Sequence, residues 1–458
     1  MALDEILAAK RREVARAKSE RRPRAAGPFP ERRSFAAALG PGRARLILEC
    51  KGRSPSSGPL REPYDAVEVA RAYAPFADAV SVLTDGPFFG GSLDDLRRVR
   101  EAVSLPLLRK DFMVDPCQIA ESRAAGADAV LLMLSVLDDE AWKACAAEAK
   151  ACGLDILTEV HTGTELRRAL ALDAPLIGIN SRDLATLKVD LATIRSLAPL
   201  VPSDRIVVAE SGITSRADLR SLSAHADAFL VGSSLVRQPR LDHGVRTLIF
   251  GEVKVCGLTR AHDAAAAREA GATWGGLVFA PESPRRLDAA QAAGVRSGAD
   301  LSWAGVFVNE SPERIAWHTR MLSLDAVQLH GEEDAACVAR LRTLLPPRCE
   351  IWKAWRVQGR PPRLAETGAD RLLLDGYDPD ARGGTGRRFD WSLLHGHPDL
   401  DRIIVAGGLE PDNVEAAGAL GAGMLDVGSG VEASPGIKSR ARLDDFFSAL
   451  RGTTRGRA

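Results

Sequence analysis

Two tandem (β/α)8 TIM barrels of the α/β class, the first with an N-terminal helical extension, are the fold that this sequence predicts. Apolar runs of strand length alternate with helix-forming segments from residue 46 onward, the pattern of a parallel sheet covered by helices. The runs form two sets of eight, and 458 residues suit two barrels but are too many for one core. A glycine-rich motif at the end of the first set recurs 196 residues later at the end of the second.

The predicted strands are short apolar runs. In the first set they are residues 46–50, 79–83, 105–109, 129–134, 154–158, 176–180, 206–209 and 228–232. In the second set they are residues 252–256, 274–279, 303–308, 325–329, 350–355, 371–375, 402–406 and 424–428. Segments rich in Ala, Leu, Arg and Glu separate most of the runs, and several open on a helix-capping residue such as Ser92, Asp138 or Thr214. The short connection at Phe250-Gly251 predicts two domains, 1–250 and 251–458.

The segment before the first strand predicts a helix over residues 2–20. Leu3, Ile6, Leu7, Lys10 and Val14 recur there at helical spacing, and an Arg-rich connection follows to about Arg33. Its basic face fits a solvated surface better than a nucleic-acid-binding arm. A helix in this place could also cap a barrel.

Composition limits the classes of function. Lys plus Arg and Asp plus Glu each number 61, so no overall field favours nucleic acid, and the ligand must be recognised locally. The seven Cys include no C-x-x-C pair, which indicates neither a disulfide framework nor a zinc finger and fits a reducing cytoplasm. No apolar run approaches 18 residues, so we expect no membrane span. We expect a cytoplasmic monomer.

The repeated motif predicts two phosphate sites. Gly212 and Gly232 are 20 residues apart, as are Gly408 and Gly428, and each pair follows the last two strands of its set. Backbone N–H groups at such glycines bind anions, and a (β/α)8 barrel usually holds phosphate after strands 7 and 8. The candidate donors also include Ser211, Ser233, Ser234 and Ser429. The alternative is that these glycines are ordinary turn residues.

Charged residues stand where the strands of the first set end, and all should project toward one mouth. They are Glu49, Lys51, Lys110, Glu159 and Glu210. A Lys in such a mouth can donate a proton or bind a carboxylate, and a carboxylate opposite it can remove a proton. The alternative is a structural network of ion pairs. Asn180 and Arg182 also follow a strand in this set.

The second set ends on a different group of side chains. Cys256 ends the first strand and Asp375 the sixth, and a thiolate with a carboxylic acid makes a base and acid pair for proton transfer next to a carbonyl or imine. Arg285, His330 and the loop 383–386 stand at other strand ends. A lone Cys on a strand is usually a core residue, so the role of Cys256 depends on Asp375 and the phosphate loops beside it, and a structural role is favoured over catalysis for His330. His395 and His397 lack partners at ligand spacing, so we expect no metal.

Ordered motifs along almost the whole chain resemble two known families. The N-terminal set resembles indole-3-glycerol-phosphate synthase, and it consists of Leu48-Glu49-Cys50-Lys51, Ser54-Pro55-Ser56, Lys110-Asp111-Phe112, Leu157-Thr158-Glu159-Val160, Gly178-Ile179-Asn180-Ser181-Arg182 and Glu210-Ser211-Gly212-Ile213. The C-terminal set resembles phosphoribosylanthranilate isomerase, and it consists of Lys254-Val255-Cys256-Gly257, Ser283-Pro284-Arg285, Val327-Gln328-Leu329-His330-Gly331, Asp375, Gly383-Gly384-Thr385-Gly386 and Ala406-Gly407-Gly408-Leu409. The fused order resembles the bifunctional enzymes of tryptophan biosynthesis.

For the C-terminal domain the resemblance implies an Amadori rearrangement of N-(5′-phosphoribosyl)anthranilate. Asp375 is then the acid that opens the ribose ring, and Cys256 the base that takes the C2′ proton. Arg285 suits the anthranilate carboxylate, since its guanidinium can bind bidentately. His330 shapes the pocket. The implied phosphate donors are Gly384, Gly386, Gly408, Gly428 and Ser429.

For the N-terminal domain the resemblance implies ring closure, decarboxylation and dehydration of the isomerase product to indole-3-glycerol phosphate. Lys110 is then the general acid on the ketone, Glu159 the base, and Lys51 the cation on the departing hydroxyl or carboxylate. Glu49, Asn180, Arg182 and Glu210 orient the substrate. Ser211, Gly212, Gly232, Ser233 and Ser234 bind its phosphate. The resemblance implies no cofactor and no metal.

Two other functions stay open on the residues alone. Tandem barrels could isomerise a different phosphoribosyl compound, such as the aminoimidazole compound of the histidine pathway. The family that catalyses that reaction uses a pair of Asp residues as acid and base, whereas this chain offers Cys256 with Asp375. The chain could also be a sugar-phosphate sensor that has lost its chemistry, against which stand Lys110 and Glu159.

Overall fold

A computed structural model describes residues 3–20, 29–40, 42–55, 57–183, 186–376 and 388–452. The chain divides into two compact units, and the boundary falls between Val245 and Arg246. Each unit is built on one closed, eight-stranded barrel in which all neighbouring strands are parallel. The predicted fold is therefore confirmed.

The first barrel closes with β1 between β2 and β8. Its strands are β1 Arg45–Cys50, β2 Ala79–Leu83, β3 Leu107–Lys110, β4 Ala129–Met133, β5 Asp155–Val160, β6 Leu176–Asn180, β7 Ile206–Glu210 and β8 Ala228–Val231. The helices of this part of the chain are α1 Leu3–Ser19, α2 Phe35–Ala38, α3 Ala66–Tyr73, α4 Gly86–Phe89, α5 Leu93–Ala102, α6 Cys117–Ala124, α7 Asp139–Cys152, α8 Gly163–Ala171, α9 Ala192–Leu197, α10 Arg216–Leu222, α11 Ser233–Val236 and α12 Leu241–Phe250. A 3-10 turn spans Ala198–Leu200, and a short antiparallel ribbon pairs Arg53–Ser54 with Gly58–Pro59.

The second barrel has the same closed order. Its strands are β9 Glu252–Cys256, β10 Trp274–Val278, β11 Ser302–Phe307, β12 Ala326–Leu329, β13 Glu350–Val357, β14 Arg371–Gly376, β15 Ile403–Val405 and β16 Met424–Val427. The helices are α13 Ala261–Ala270, α14 Ala289–Arg296, α15 Pro312–Leu322, α16 Ala335–Leu344, α17 Val414–Ala419 and α18 Arg440–Arg451, with 3-10 turns at Leu364–Glu366, Trp391–Leu394, Leu400–Arg402 and Ser429–Val431. A hairpin pairs Glu432–Ser434 with Ile437–Lys438.

All sixteen predicted strands are present, with ends shifted by at most two residues. The largest shift at a strand start is in β3, which begins at Leu107 instead of residue 105. Pro106 precedes it and has no N–H to donate, although its carbonyl accepts from Val80. The strand ends at Lys110, so that side chain lies at its carboxyl end.

Two of the three predicted helix caps are confirmed. Ser92 and Asp138 accept from backbone N–H groups at the starts of α5 and α7. The prediction for Thr214 is wrong by one residue. Ser215 is the cap of α10 because it forms a reciprocal capping box with Asp218, and Thr214 binds the same carboxylate from outside the helix.

Each barrel interior is filled by its own apolar cluster. In the first, Phe35 of α2 is fully buried among strand residues such as Ile47 and Leu108. The backbone N–H of Ala36 donates to Asp155 at the start of β5, so α2 closes the amino-terminal end of that barrel. In the second, the rings of Trp274 and Trp352 meet edge to face at 4.8 Å.

Helix α1 packs on the opposite, carboxyl-terminal end of the first barrel. Its Lys10 is buried, and Nζ lies 3.1 Å from Asp85 Oδ2 and 2.9 Å from Asp111 Oδ1. Asp111 directly follows β3. The helical extension is confirmed, but its basic side is not wholly solvated, because Lys10 is an anchor. No helix in the described residues is long and apolar enough to cross a membrane.

Two candidate active sites

The first site is organised around Lys110, the last residue of β3. Its Nζ lies 3.2 Å from Glu159 Oε2 at the end of β5 and 3.2 Å from Glu210 Oε2 at the end of β7. Burial alone would lower the pKa of Lys110, but these carboxylates raise it above its usual value. The side chain therefore stays an ammonium ion, able to donate a proton.

The two carboxylates on Lys110 differ in charge. Burial would raise the pKa of Glu159, but Lys110 and His161 hold it well below its usual range. Burial raises the pKa of Glu210, and the neighbouring Glu159 adds to this against the pull of Lys110. Glu159 is thus the ionised partner. Within the described residues, Glu210 Oε1 is buried and has no hydrogen-bond partner.

His161, which the sequence analysis did not single out, flanks Glu159 on its other side. Its Nε2 lies 3.2 Å from Glu159 Oε1, and its Nδ1 lies 3.2 Å from Glu165 Oε2. Burial by itself would lower the pKa of His161, but these two carboxylates raise it to about 10. His161 is therefore a cation at neutral pH.

Glu49 and Lys51 form a second pair at the same mouth. Lys51 Nζ lies 2.5 Å from Glu49 Oε2 at the end of β1. Glu49 occupies the space next to Gly232, where an added Cβ would stand 3.0 Å from the Glu49 Cβ and Cδ atoms. The absence of a side chain at Gly232 thus makes room for Glu49.

The two predicted polar residues after β6 are placed differently. Asn180 is buried, and its side chain contributes to the low pKa of Glu159. Its Oδ1 also accepts from the backbone N–H of Arg182. The guanidinium of Arg182 donates to Leu187 O inside its own loop, so the described contacts do not bring it to Lys110.

The two glycine motifs have the same backbone geometry. Ser211 and Gly212 both have positive φ, +65° and +80°, and Gly407 and Gly408 at the equivalent positions have +79° and +62°. Gly232 (φ −134°, ψ −81°) and Gly428 (φ −119°, ψ −89°) also match. Two loops of the same shape at the ends of the seventh and eighth strands therefore occur in each barrel.

The side chains of the two motifs differ. The Ser234 hydroxyl donates to Ile213 O at 3.0 Å and so ties the two loops of the first barrel together. At the equivalent place in the second barrel, Gly430 packs directly on Leu409 O, where a Cβ would clash. Ser233 and Ser429 each follow the matched glycine, at the start of a short helical turn.

The second site contains Cys256 at the end of β9, half-buried beside Lys254. An added Cβ at Gly276 of β10 would lie 2.9 Å from both Cys256 Sγ and Lys254 Cε, so the thiol and the lysine stem share one small space. Burial raises the pKa of the Cys256 thiol, while Lys254 and Lys438 oppose that rise.

A chain of polar side chains leads from Lys254 to Asp375. Lys254 Nζ is fully buried, 2.6 Å from Asp426 Oδ2 and 2.8 Å from Gln328 Oε1. Gln328 Nε2 lies 2.9 Å from His330 Nδ1, and His330 Nε2 lies 3.7 Å from Asp375 Oδ2. The predicted base Cys256 therefore lies beside one end of this group, and the predicted acid Asp375 lies near the other end, 3.7 Å from His330 and not hydrogen-bonded to it.

Arg285 pairs with an acid that the sequence analysis did not assign. Its Nε and Nη2 donate to the two carboxylate oxygens of Glu432 at 2.8 and 2.6 Å. Two of its guanidinium nitrogens are thus already in use, and a bidentate contact with a substrate carboxylate stays a prediction. Gly384 and Gly386, like Ser56, lie outside the described residues.

The sequence matches two families in succession. Residues 3–248 match "Indole-3-glycerol phosphate synthase", and residues 253–449 match "N-(5'phosphoribosyl)anthranilate (PRA) isomerase". A tryptophan biosynthesis protein TrpCF from Yersinia pestis is 47% identical over 419 residues, which cover 92% of this chain and 87% of that protein. The chain belongs to the TrpCF family. It is a bifunctional enzyme of tryptophan biosynthesis, with indole-3-glycerol-phosphate synthase and phosphoribosylanthranilate isomerase activities.

Other relatives extend this likeness. TrpCF from Vibrio cholerae serotype O1 is 46% identical over 419 residues, covering 92% of this chain and 89% of that protein. A crystal structure of phosphoribosyl anthranilate isomerase from Thermus thermophilus is 33% identical, with a TM-score of 0.40, and covers 43% of this chain and 98% of that one. The matches to the two family models and to the TrpCF proteins confirm the resemblance inferred from the motifs.

Within this TrpCF chain, sequence reasoning missed His161, Gln328, Glu432 and Lys438 as members of the two sites. Alternation along a strand could have indicated one of them, since His161 lies two residues after Glu159. No comparable pattern marks Glu432, whose partner Arg285 is 147 residues away.

Proposed function

We propose that residues 251–458 carry the isomerase site and residues 1–250 the synthase site, and that the two act in that order on one phosphorylated substrate. The observation that carries the proposal is the position of Lys110 between Glu159 and Glu210 at the carboxyl ends of three strands. This is where the loops of a (β/α)8 barrel hold their chemistry. In this arrangement the Lys110 ammonium lies beside the Glu159 carboxylate, and both groups are ionised.

In the isomerase step, Asp375 donates a proton to the ribose ring oxygen as the C1′–O bond breaks and an imine forms. Cys256, as the thiolate, then takes the proton from C2′. The enamine rearranges to the ketone, so substrate and product have the same atoms. Arg285 attracts the anthranilate carboxylate, and His330 shapes the pocket beside Asp375. Burial raises the pKa of the Cys256 thiol, and the nearby cations Lys254 and Lys438 offset only part of that rise.

In the synthase step, Lys110 donates its proton toward the ketone oxygen while the ring carbon that bears the carboxylate attacks. Loss of CO2 restores the aromatic ring, and loss of the hydroxyl as water completes the indole. Glu159 takes the proton in this last stage. Lys51 contacts either the departing hydroxyl or the carboxylate of the substrate. Glu49, Asn180 and Glu210 orient the substrate and the catalytic side chains. Arg182 contacts substrate only if its loop turns inward from Leu187.

The alternative for the first mouth is a purely structural network of ion pairs. The charges are indeed paired, as that alternative requires. Against it stands the burial of two carboxylates, Glu159 and Glu210, on the single ammonium of Lys110, which raises the pKa of Glu210. Such an excess of buried acid is costly in a structural network and is typical of a catalytic site.

The matched loops support the proposed phosphate sites. Among the described hydrogen bonds, the backbone N–H groups of Gly212, Ser233 and Ser234 have no acceptor, and the same is true of Gly408 and Ser429. Gly232 and Gly428 give the chain the backbone shape that exposes these donors. Gly384 and Gly386 stay predictions. We further propose a cytoplasmic monomer that uses no metal or cofactor and binds no nucleic acid.

The test incubates the full chain with N-(5′-phosphoribosyl)anthranilate. We expect wild type to form indole-3-glycerol phosphate, Cys256→Ala to leave the substrate unchanged, and Lys110→Ala to accumulate the open-chain ketone. Lys143→Ala and Cys117→Ala, which remove an exposed residue of each kind, are the matched controls and should behave as wild type. Full activity of Cys256→Ala and Lys110→Ala would contradict the assigned roles.

A further inference from the structure

Glu432 and Lys438 connect three parts of the isomerase site. Glu432 is buried at the start of the hairpin that follows β16. Its Oε1 accepts from Arg285 Nε at 2.8 Å, from Lys438 Nζ at 2.9 Å and from Gly436 N at 3.2 Å. Its Oε2 accepts from Arg285 Nη2 at 2.6 Å. One carboxylate thus holds both an arginine and a lysine.

Lys438 continues the connection from Glu432 to the backbone. Its side chain is fully buried, and Nζ donates to Cys256 O at 2.6 Å and to Gly428 O at 3.0 Å as well as to Glu432. An ammonium group has three protons to donate, so all three are used. Cys256 ends β9 and Gly428 follows β16, so this one cation fixes two loops that meet at the barrel mouth.

The charges of the group favour an anionic ligand nearby. Arg285 and Lys438 are two cations with Glu432 as their shared anion, which leaves an excess of positive charge beside Gly428. A partly desolvated positive charge attracts phosphate or carboxylate more strongly than one in bulk water. The group therefore supports both the phosphate end and the carboxylate end of the proposed substrate.

We propose that Glu432 and Lys438 are positioning residues of the isomerase reaction, setting the general base Cys256, the phosphate loop at Gly428 and Arg285 at fixed distances from one another. Neither residue touches the reacting atoms. The inference rests on the proposed roles of Cys256, Gly428 and Arg285. A displacement of about 1 Å between such groups is enough to cost about 100-fold in rate.

The competing explanation is that Lys438 only stabilises the hairpin through its ion pair with Glu432. Loss of a purely structural contact would lower the unfolding temperature of the second unit but would change neither kcat nor phosphate affinity. The test therefore uses Lys438→Met in the full chain, which removes the ammonium while keeping an apolar stem. Arg440→Met is the matched control. Arg440 is a cation two residues away whose partners Glu269 and Asp444, at 2.6 and 2.9 Å, are on the surface.

We expect Lys438→Met to lower the isomerase kcat by about 100-fold. We also expect the inhibition constant of inorganic phosphate against the isomerase to rise by about 10-fold, since the loop at Gly428 loses its support. Arg440→Met should stay within about twofold of wild type in both. Synthase activity on the open-chain ketone should be unchanged in each variant.

A second variant keeps the proposal testable if Lys438→Met does not fold. Glu432→Gln keeps the shape of the side chain and removes its charge, and we expect kcat/KM to fall by about 10-fold. The proposal is overturned if the folded variants keep kcat and phosphate inhibition within twofold of wild type, whatever their unfolding temperature. Full isomerase activity of Cys256→Ala would instead refute the proposed function itself, independently of Lys438.

Discussion

Ser211 and Gly407 adopt the same left-handed backbone conformation at equivalent places in the two barrels, with φ of +65° and +79°. A residue with a Cβ is strained in this region and glycine is not. The first barrel thus accepts strain at a candidate phosphate-binding serine where the second avoids it. Such strain is typical of functional sites, where the surrounding structure maintains it.

The first prediction separates this strain from binding. Ser211→Gly should stabilise the first unit by at most about 1 kcal/mol, because relief of strain is partly offset by the greater entropy of unfolded glycine. If the serine binds phosphate, KM of the synthase should rise in the same variant. Urea unfolding and synthase kinetics measure the two effects. Gly407→Ala is the reciprocal change and should destabilise the second unit by about 1 kcal/mol. A destabilised Ser211→Gly chain would show that the serine is not strained.

The second prediction concerns the space that Gly232 leaves for Glu49. Gly232→Ala should displace Glu49 from Lys51 and lower the synthase kcat by about 100-fold, because an added Cβ would stand 3.0 Å from the Glu49 stem. Isomerase activity of the same chain should be unchanged. Gly163→Ala is the control, since a Cβ there meets only ordinary contacts at 3.8 and 3.9 Å. Equal synthase activity in both variants would show that the position of Glu49 does not matter.

The third prediction is a pH dependence of stability that arises from His161. Contacts with Glu159 and Glu165 raise its pKa in the folded protein to about 10, above the usual 6.5. The protonated imidazole therefore stabilises the fold fully below about pH 6.5, and this contribution is lost as pH rises to about 10. The free energy of unfolding should differ between wild type and His161→Gln at pH 6, and the difference should shrink toward pH 10. A difference that is constant with pH would contradict this account.

The fourth prediction tests the anchor of helix α1. Lys10→Met should cost about 3–5 kcal/mol, because it leaves the buried carboxylates of Asp85 and Asp111 without this cation. Lys18→Met removes an exposed pair with Asp115 from the same helix and should cost less than about 1 kcal/mol. The urea concentration at which each variant loses synthase activity measures the loss of stability in the two variants. Similar losses in the two variants would show that burial of Lys10 contributes nothing.

Much of the fold could be predicted from the sequence because barrel strands are buried on both faces. Runs such as 79–83 and 176–180 are mainly apolar, with Ser81 the one polar residue of the first and Asn180 that of the second, and their limits agree with the structure. Periodicity placed Lys10 in the apolar stripe of the helix but could not predict its ion pairs with Asp85 and Asp111. Its partner Asp111 is about a hundred residues away, and helical spacing shows only that Lys10 lies near the apolar face.

The candidate sites were predictable where a charged residue ends a strand, as at Lys110 and Glu210. The rule that chemistry lies at carboxyl ends was sufficient there. It could not show that Arg285 forms an ion pair with Glu432, because Glu432 belongs to a hairpin that follows the last strand of the barrel. Nor could it show that Gly232 accommodates Glu49, since a glycine gives no indication of which neighbour fills its space.

The most direct test of the two-site account supplies the open-chain ketone, the product of the isomerase, to the Cys256→Ala and Lys110→Ala chains. We predict that Cys256→Ala, which leaves N-(5′-phosphoribosyl)anthranilate unchanged, converts this ketone to indole-3-glycerol phosphate at the wild-type rate. Lys110→Ala should form none. Failure of Cys256→Ala to use the ketone, or conversion by Lys110→Ala, would contradict the assignment of one chemical step to each barrel.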